Sequence, residues 1–327
     1  MYATPKANRT RCTLIVATAF AAPLAAPAQN YPTKPIRMLV GFAPGGGTDT
    51  AARAIASKLS DRLGQTVVID NRPGAAGNIA TEITVNAPAD GYTLLLGSIS
   101  SFSINPSLYK RLPFDPLKDL APLTRAADST NILVTHPTVA AKTVKELIAL
   151  AKTKPLNGGS SGIGGSGHLA IELFNLQTGT KITHVPYKGG GPAIIDLLGG
   201  NIHLIFATAA SAVQHIKGNR INALGVTTVK RWAFMPEIPT IAEAGVAGFE
   251  ANNWYGFMMP LKTPQPIIAR LNKEIGTILA LPDVKDYLFR QGLDAAPGTP
   301  EDFAKYIKSE TVKWEKVIKA AGLYQSN

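Results

Sequence analysis

The sequence predicts an α/β protein of two lobes, each built on one mostly parallel sheet, and three observations carry that prediction. Strand-like and helix-like pieces alternate along most of the chain. A length of 327 residues, less a removable leader, suits two domains that each have their own core. Loops rich in Gly, Ser and Thr recur where a strand-like piece hands over to a helix-like one, which is where parallel sheets bind ligands.

The leader comes first. Lys6, Arg9 and Arg11 precede an apolar stretch from Cys12 to about Ala26, and Ala26-Pro27-Ala28 supplies small residues before Gln29. This is the layout of a cleaved secretory signal over residues 1–28, and it implies a periplasmic protein. Pro23 and Pro27 interrupt the stretch, which is too short to span a bilayer comfortably. Its removal leaves 299 residues and takes away Cys12, the single cysteine, so the folded chain must rely on its core. Three basic residues leave as well, and the formal charge falls from +11 to +8. The remaining Lys and Arg are scattered, without interleaved aromatics, so nucleic acid is not an expected partner. No later apolar stretch reaches membrane-spanning length, and a soluble mature protein is expected.

The first block opens with a strand at Ile36–Val40, the loop Gly41–Asp49, and a helix from Thr50 to Leu63 with Ile55, Leu59 and Leu63 on one stripe. Thr66–Asp70 reads as a strand, Asn71–Gly77 as a turn, Asn78–Asn86 as a short helix, and Tyr92–Leu96 as a buried strand followed by a polar loop, Gly97–Ser101. A second block begins near Arg125. It has a strand at Asn131–Thr135, a helix at Thr143–Lys152, and a long glycine-rich loop, Asn157–His168, leading into a helix at Leu169–Gln177. Ile182–Tyr187 is the next strand, then Lys188–Pro192 and a helix at Ala193–Leu198; His203–Ala207 and Ala223–Thr227 complete that sheet. After a strand at Asn253–Met259 come helices at Pro266–Leu279, Pro282–Gln291 and Pro300–Ala321, the last opened by Thr299-Pro300-Glu301-Asp302. One strand and three helices are too little for a third domain. They are expected to return to the first block, so that lobe one is 29–124 plus 252–327 and lobe two is the insertion 125–251.

Two motif matches fail on context. Gly162, Gly164 and Gly167 fit G-x-G-x-x-G, but Lys154-Pro155-Leu156-Asn157 is no apolar strand, and no acid follows the next strand to hold a ribose. Gly158-Gly159-Ser160-Ser161-Gly162 fits G-x-S-x-G, with Asp196 and His203 or His215 following in order, yet it too lacks the apolar strand of a nucleophile elbow. The five histidines show no metal-ligand spacing. Neither cofactor nor metal is expected. The loop after the first strand, by contrast, leads into a helix whose first N–H groups and dipole favour an anion. A shared cleft between such loops suits a carboxylate held by backbone N–H and hydroxyl donors, and with no nucleophile–base pair beside them binding without turnover is favoured.

At this level of detail the chain resembles a known family. The segments Tyr31–Arg37, Pro44–Asp49, Asn71–Ala75, Ala87–Tyr92, His184–Ala193 and Ile238–Glu243, in that order, are similar to the periplasmic substrate-binding proteins of tripartite tricarboxylate transporters, the Bug family. The resemblance implies a Venus-flytrap fold of the periplasmic-binding-protein type II kind, closing on a small organic carboxylate and delivering it to membrane permease subunits. It implies a monomer and no catalysis; a sensor with the same fold is the alternative, and an exported serine hydrolase using Ser160 a weaker one. Carried over by position, the ligand residues are Phe42, Ala43, Pro44, Gly45, Gly46, Thr48 and Asp49 in lobe one, with Ser98, Ser100 and Ser101. In lobe two they are Ser160, Ser161, Gly165, Ser166, Gly167 and His168, with Tyr187, Ala207 and Thr208. Many relatives carry an acid or amide just after Phe206, where this chain has Ala207, and that departure points away from an amino acid and toward an apolar or aromatic carboxylate.

Overall fold

The computed structural model describes residues 1–4 and 31–324. The chain divides into Met1–Tyr31 and Pro32–Asn327, and every strand and helix below lies in the second part. Apart from residues 1–4, the leader lies outside the described residues. The order is β1 (Ile36–Val40), α1 (Gly47–Leu63), β2 (Val67–Asn71), α2 (Asn78–Val85), β3 (Thr93–Ser98), α3 (Asn105–Leu108), α4 (Pro116–Asp119), β4 (Leu120–Ser129) and β5 (Asn131–Thr135). It continues through α5 (Val144–Thr153), β6 (Asn157–Ser160), α6 (Ser166–Thr178), β7 (Thr183–Pro186), α7 (Gly190–Leu198), β8 (Leu204–Thr208), α8 (Ala209–Lys217) and β9 (Asn222–Val226). The last elements are β10 (Asn253–Pro260), α9 (Gln265–Ala280), α10 (Pro282–Arg290), β11 (Leu293–Ala295) and α11 (Pro300–Ala320).

There are two lobes with one mixed sheet each. The first sheet runs β11-β4-β10-β3-β1-β2 and the second β7-β6-β8-β5-β9. β1 pairs parallel with β2 and β3, whereas β10 lies antiparallel between β3 and β4, and β11 antiparallel to β4. In the second sheet β6 is parallel to β7 and β8, and β5 runs against both β8 and β9. Most strands of each sheet therefore share one direction; β10 and β11 are reversed in the first sheet and β5 in the second, and β10 and β5 both adjoin a crossing between the sheets. β4 stays in the first sheet to Ser129, and after Thr130 the chain is already in β5.

Several elements follow their sequence signals closely. β1 and β3 are almost wholly buried, as strands covered on both faces must be. α1 buries Ile55, Leu59 and Leu63, and Gly64 ends it in the left-handed region at φ 66°. α11 starts as expected, with Thr299 accepting from the Asp302 N–H at 3.1 Å and acids in the first turn.

Other elements depart from expectation. α1 begins at Gly47 and α7 at Gly190, three residues earlier than the apolar stripe suggests, because glycine can enter a helix without a side chain to mark it. The polar loop expected at Gly97–Ser101 is instead the end of β3 and a buried helical turn, Ser100–Ile104. Asn157–Ser160, read as loop, is a central strand: a Cβ on Gly158 would sit 3.0 Å from both Ile171 and Ile182, so neighbours supply the apolar bulk that the strand lacks. α8 and β11 were not expected.

A paired gap in the first sheet shows how tightly lobe one is built. Gly97 of β3 faces Gly256 of β10 across the ladder. A Cβ on Gly97 would lie 2.2 Å from the Phe102 ring, and one on Gly256 2.1 Å from Phe303. Phe102, Trp254 and Phe303 pack mutually at 5.7–6.4 Å over this gap, and the buried Glu310 carboxylate accepts from the indoles of Trp254 and Trp314 at 3.2 and 3.3 Å. Overpacking such a site costs roughly 1–3 kcal/mol. Gly256→Ala should therefore lower stability by about that amount in urea unfolding; an unchanged midpoint would mean that the aromatic cluster is not close-packed.

Candidate functional site

Five connections carry the chain from a strand into a helix or helical turn at the seam between the lobes: β1 to α1, β3 to the Ser100 turn, β6 to α6, β7 to α7, and β8 to α8. A cavity of about 40 Å³ lies among them. Lobe one contributes Phe42, Gly46, Gly47, Thr48, Ser98 and Ser100, together with Asn253 and Tyr255 from β10. Lobe two contributes Ser161, Ser166, Gly167, Gly190, Ala193, Ile205, Phe206, Ala207 and Thr208. Among the described residues no Lys, Arg, His, Asp or Glu lines it.

The cavity's electrostatics come from the main chain. Gly46 caps α1, Gly165 caps α6, Gly189 caps α7 and Thr208 caps α8, and none of these four ends has a side-chain cap hydrogen bond. First-turn residues or caps of all four helices line the cavity. The opening N–H groups of a helix have no partner within it, and the helix dipole places partial positive charge there. Four such ends around one small cavity make it an anion site without a cation. Phe42, Ala193, Ile205, Phe206 and Ala207 give the rest of the wall an apolar character.

Tyr255 closes the floor. A Cβ on Gly47 would lie 2.3 Å from the Tyr255 hydroxyl and 3.3 Å from Thr208 Cβ in the other lobe, so this position has no room for a side chain. Asn253 Nδ2 donates to Tyr255 Oη at 3.0 Å, and Tyr255 Oη donates to Ser129 Oγ at 3.3 Å. Burial pushes the Tyr255 phenol above its usual pKa, so it stays a neutral hydroxyl. Hydrogen bonds also join the lobes away from the cavity, where Ala43 N–H donates to Lys188 O at 3.1 Å, Tyr109 Oη to Ile163 O at 3.3 Å and Trp232 Nε1 to Phe289 O at 3.2 Å.

The residues expected from the sequence fall into two groups. Phe42, Gly46, Thr48, Ser98, Ser100, Ser161, Ser166, Gly167, Ala207 and Thr208 are brought together at the cavity. Ala43, Pro44, Gly45, Asp49, Ser101, Ser160, Gly165, His168 and Tyr187 do not line it. Ala43, Pro44 and Gly45 form an outer lip. Asp49 ties the loop to its helix, accepting from Gly45 N–H at 3.2 Å, Arg53 at 2.8 and 3.0 Å, and Asn71 at 3.1 Å. Burial pushes its carboxyl up, but those donors outweigh burial and hold it below the usual range. Ser101 is buried against Ser98 O, Gly165 caps α6, and Tyr187 donates to Asp196. Gly47, Gly190, Ala193, Ile205, Phe206, Asn253 and Tyr255 were missed; the signal for the last two was a pair of polar groups alternating in an otherwise apolar strand.

Ser160, His168 and His184 form a buried prop beneath the lobe-two loop. Ser160 Oγ donates to Gly162 O at 3.0 Å and meets His184 Nε2 at 2.5 Å. Ser160 Oγ also accepts from Gly162 N–H at 3.1 Å, and the tautomer of His184 sets which partner donates across the shorter contact. The strand, turn and helix of a nucleophile elbow are present, but Ser160 is buried and does not line the cavity. Asp196 and His203 lie elsewhere, held by Tyr187 and Asn201 and by Asn157 N–H respectively. His168 stacks on His184 at 3.9 Å and accepts from Gly164 N–H at 3.2 Å through Nδ1, leaving its Nε2 3.6 Å from Glu172.

Burial lowers the His168 pKa to about 4, and burial together with His168 lowers that of His184 to about 3. Both rings are neutral when folded and titrate near 6.5 when unfolded. As pH falls below 6.5 the unfolded chain takes up protons first, so this contribution is complete above 6.5 and declines toward pH 4. The slope is at most about 1.4 kcal/mol per pH unit for each ring. Between pH 6.5 and 4.5 the wild-type melting temperature should fall more steeply than that of a His168→Gln/His184→Gln variant; equal slopes would show that the rings are not held neutral.

The comparisons with known proteins agree with this architecture. The family model described as "Tripartite tricarboxylate transporter family receptor" matches residues 51–323. The chain is 38% identical over 313 residues to protein BugT of Bordetella pertussis, covering 94% of this chain and 95% of BugT. Among solved structures it is similar to Rpa4515 of R. palustris, solved with adipate, at TM-score 0.87 and 38% identity, covering 89% of this chain and 98% of that one. MatC of Rhodopseudomonas palustris, solved with bound malate, matches at TM-score 0.84 and 29% identity, covering 88% of this chain and all (100%) of that one. The chain belongs to the tripartite tricarboxylate transporter receptor family, whose members are periplasmic substrate-binding proteins and not enzymes.

Proposed function

We propose that this protein is a receptor that closes on a small organic carboxylate in the cavity between its lobes and delivers it to the permease of a tripartite-type transporter. The observation that carries the reading is the convergence of four helix N-termini, from both lobes, on a cavity with no charged side chain. An oxyanion there receives N–H and hydroxyl donors, and hydrogen bonds to a charged group contribute roughly 1.5–3 kcal/mol each. An ammonium group finds no carboxylate in the same wall, so amino acids are disfavoured. The apolar residues beside Ala207 suit a hydrocarbon or aromatic body. The adipate and malate held by two relatives support the same ligand class.

We take the ligand residues to be the sequence-expected residues that line the cavity, with Gly47, Asn253 and Tyr255 added. Residues 1–28 are an export signal cleaved on the way to the periplasm, and the mature receptor works as a monomer. The lobes divide at Thr130 and between Thr227 and Asn253, so the two crossings form the hinge on which closure turns. The chain's end, from β10 to α11, then belongs to lobe one.

A melting-temperature panel of adipate, malate, benzoate and aspartate tests the ligand class. At about 100 times its Kd a ligand stabilises by about 2.7 kcal/mol, which is a rise of several degrees for a chain of this size. At least one of the three non-amino acids should give that rise; a panel in which aspartate alone does so would overturn the reading. Gly47→Val places a branched side chain against Tyr255 and Thr208. It should weaken binding of the acid found in the panel by about tenfold or more in calorimetry, the loss of one charged hydrogen bond or more, while circular dichroism stays unchanged. Undiminished affinity would remove Gly47 from the site.

A further inference from the structure

Beside the ligand cavity, on the outer face of the seam, lies a wider groove of about 500 Å³. One wall is the lip Ala43-Pro44-Gly45 of lobe one; the other is Gly191, Pro192 and Ile195 of α7, with α8 beneath. The walls belong to different lobes and meet closely. A Cβ on Gly191 would lie 2.5 Å from Pro44 O, and one on Gly189 3.0 Å from Ala43 N. The groove therefore exists as one surface only while the lobes are shut. Ile195 is 68% exposed on its rim, a large apolar side chain left facing solvent.

The surroundings are basic. Lys188, whose carbonyl accepts from Ala43 N–H, is exposed. α8 places His215 on the groove wall and leads to Arg220, which is exposed and whose charge acts on His215; Lys217 is held over the Phe234 ring at 4.1 Å. Neither Lys188 nor Arg220 has a carboxylate partner among the described residues. The single acid on α7 or α8, Asp196, is occupied by Tyr187 and Asn201. On the lobe-one side, Asp49 is buried and enclosed by Arg53 and Asn71.

We propose that this seam groove docks the membrane transporter partner, taking an apolar segment of its periplasmic face flanked by acidic residues. The inference rests on the receptor reading above and adds how the loaded state is recognised. Apolar contact at Ile195 and Pro44 supplies area, and the unpaired basic groups supply steering and register. An open receptor presents the two walls apart, so the partner distinguishes closed from open without touching the ligand.

The test is photo-crosslinking of the full chain in cells that contain its own transporter. Benzoylphenylalanine replaces Ile195, or Val312 on α11, which is 55% exposed and away from the seam. The expected adduct joins position 195, and not 312, to a transporter subunit with several membrane spans, identified by mass spectrometry. Capture should weaken by about tenfold with Lys188→Glu/Arg220→Glu, which sets like charges against the partner, and also with Gly191→Val, which holds the seam open. No adduct at 195, an adduct with a second copy of the receptor, or capture insensitive to the charge reversal overturns the proposal. The charge variant alters surface residues only, so it keeps the test decisive if Gly191→Val fails to fold. Purified Ile195→Glu protein should keep the wild-type melting shift with adipate or malate. If none of adipate, malate and benzoate shifts the wild type, the ligand reading fails separately, and the cross-link at 195 still stands or falls by itself.

Discussion

The structure depends on leaving the N-termini of four helices uncapped. α1, α6, α7 and α8 each begin without a side-chain cap, although a Ser, Thr, Asp or Asn cap typically contributes about 1 kcal/mol. Elsewhere the chain uses that device, with Thr143 capping α5, Asp115 capping α4 and Thr299 capping α11. Away from the seam both kinds occur, since α2, α3, α9 and α10 also begin without a side-chain cap. At the seam all four helix ends that line the cavity are uncapped, and their N–H groups stay available to something outside the helix.

That constraint explains why glycine dominates these loops. At Gly47 any side chain would meet both Tyr255 and Thr208, and at Gly167 a Cβ would lie 2.8 Å from Phe206 O. Main-chain donors can converge only if nothing protrudes between them. The supporting groups then have to be stiff, because the donors cannot adjust through side-chain rotation. Asp49 fastens the α1 loop through Gly45, Arg53 and Asn71, and the Ser160–His184–His168 stack fastens the α6 loop. Asp49, His168 and His184 stand around the cavity without entering it, and they set the shape of a site whose own wall, among the described residues, carries no carboxylate or imidazole.

The same physics sets what could be read from sequence. Apolar periodicity gave β1 to the residue, β3 to within two residues and the C-terminal end of α1, and the Thr299-Pro300-Glu301-Asp302 cap marked the start of α11. β6 was invisible because Gly158 and Gly159 carry no apolar side chain; Ile171, Ile182, Ile202 and Leu204 from neighbouring elements fill their places. α8 begins with alanines that mark no face. For the site, glycine loops identified the right neighbourhood on both lobes. They could not separate residues that face the cavity from those, such as Asp49, His168 and Tyr187, that hold the loops in place. Side-chain direction at a turn depends on φ and ψ, which one sequence does not state. Asn253 and Tyr255 come from a strand far along the chain, and only the topology that threads β10 between β3 and β4 brings them to the seam.

Main-chain recognition has a consequence for specificity. Every member of such a fold can offer the same N–H groups to an oxyanion, so those groups cannot distinguish one acid from another. Discrimination must come from the remaining wall: here Phe42, Ile205, Phe206 and Ala207, with the hydroxyls of Thr48, Ser98, Ser100 and Thr208. A hydrocarbon wall separates ligands by shape, at about 1–3 kcal/mol for each methylene gained or lost, whereas a buried hydroxyl left without a partner rejects a ligand more sharply. Exchanging Ala207 or Ile205 changes that wall without touching the four helix ends. The anion clamp can therefore stay constant while a few side chains on β8 redirect the receptor to a different acid.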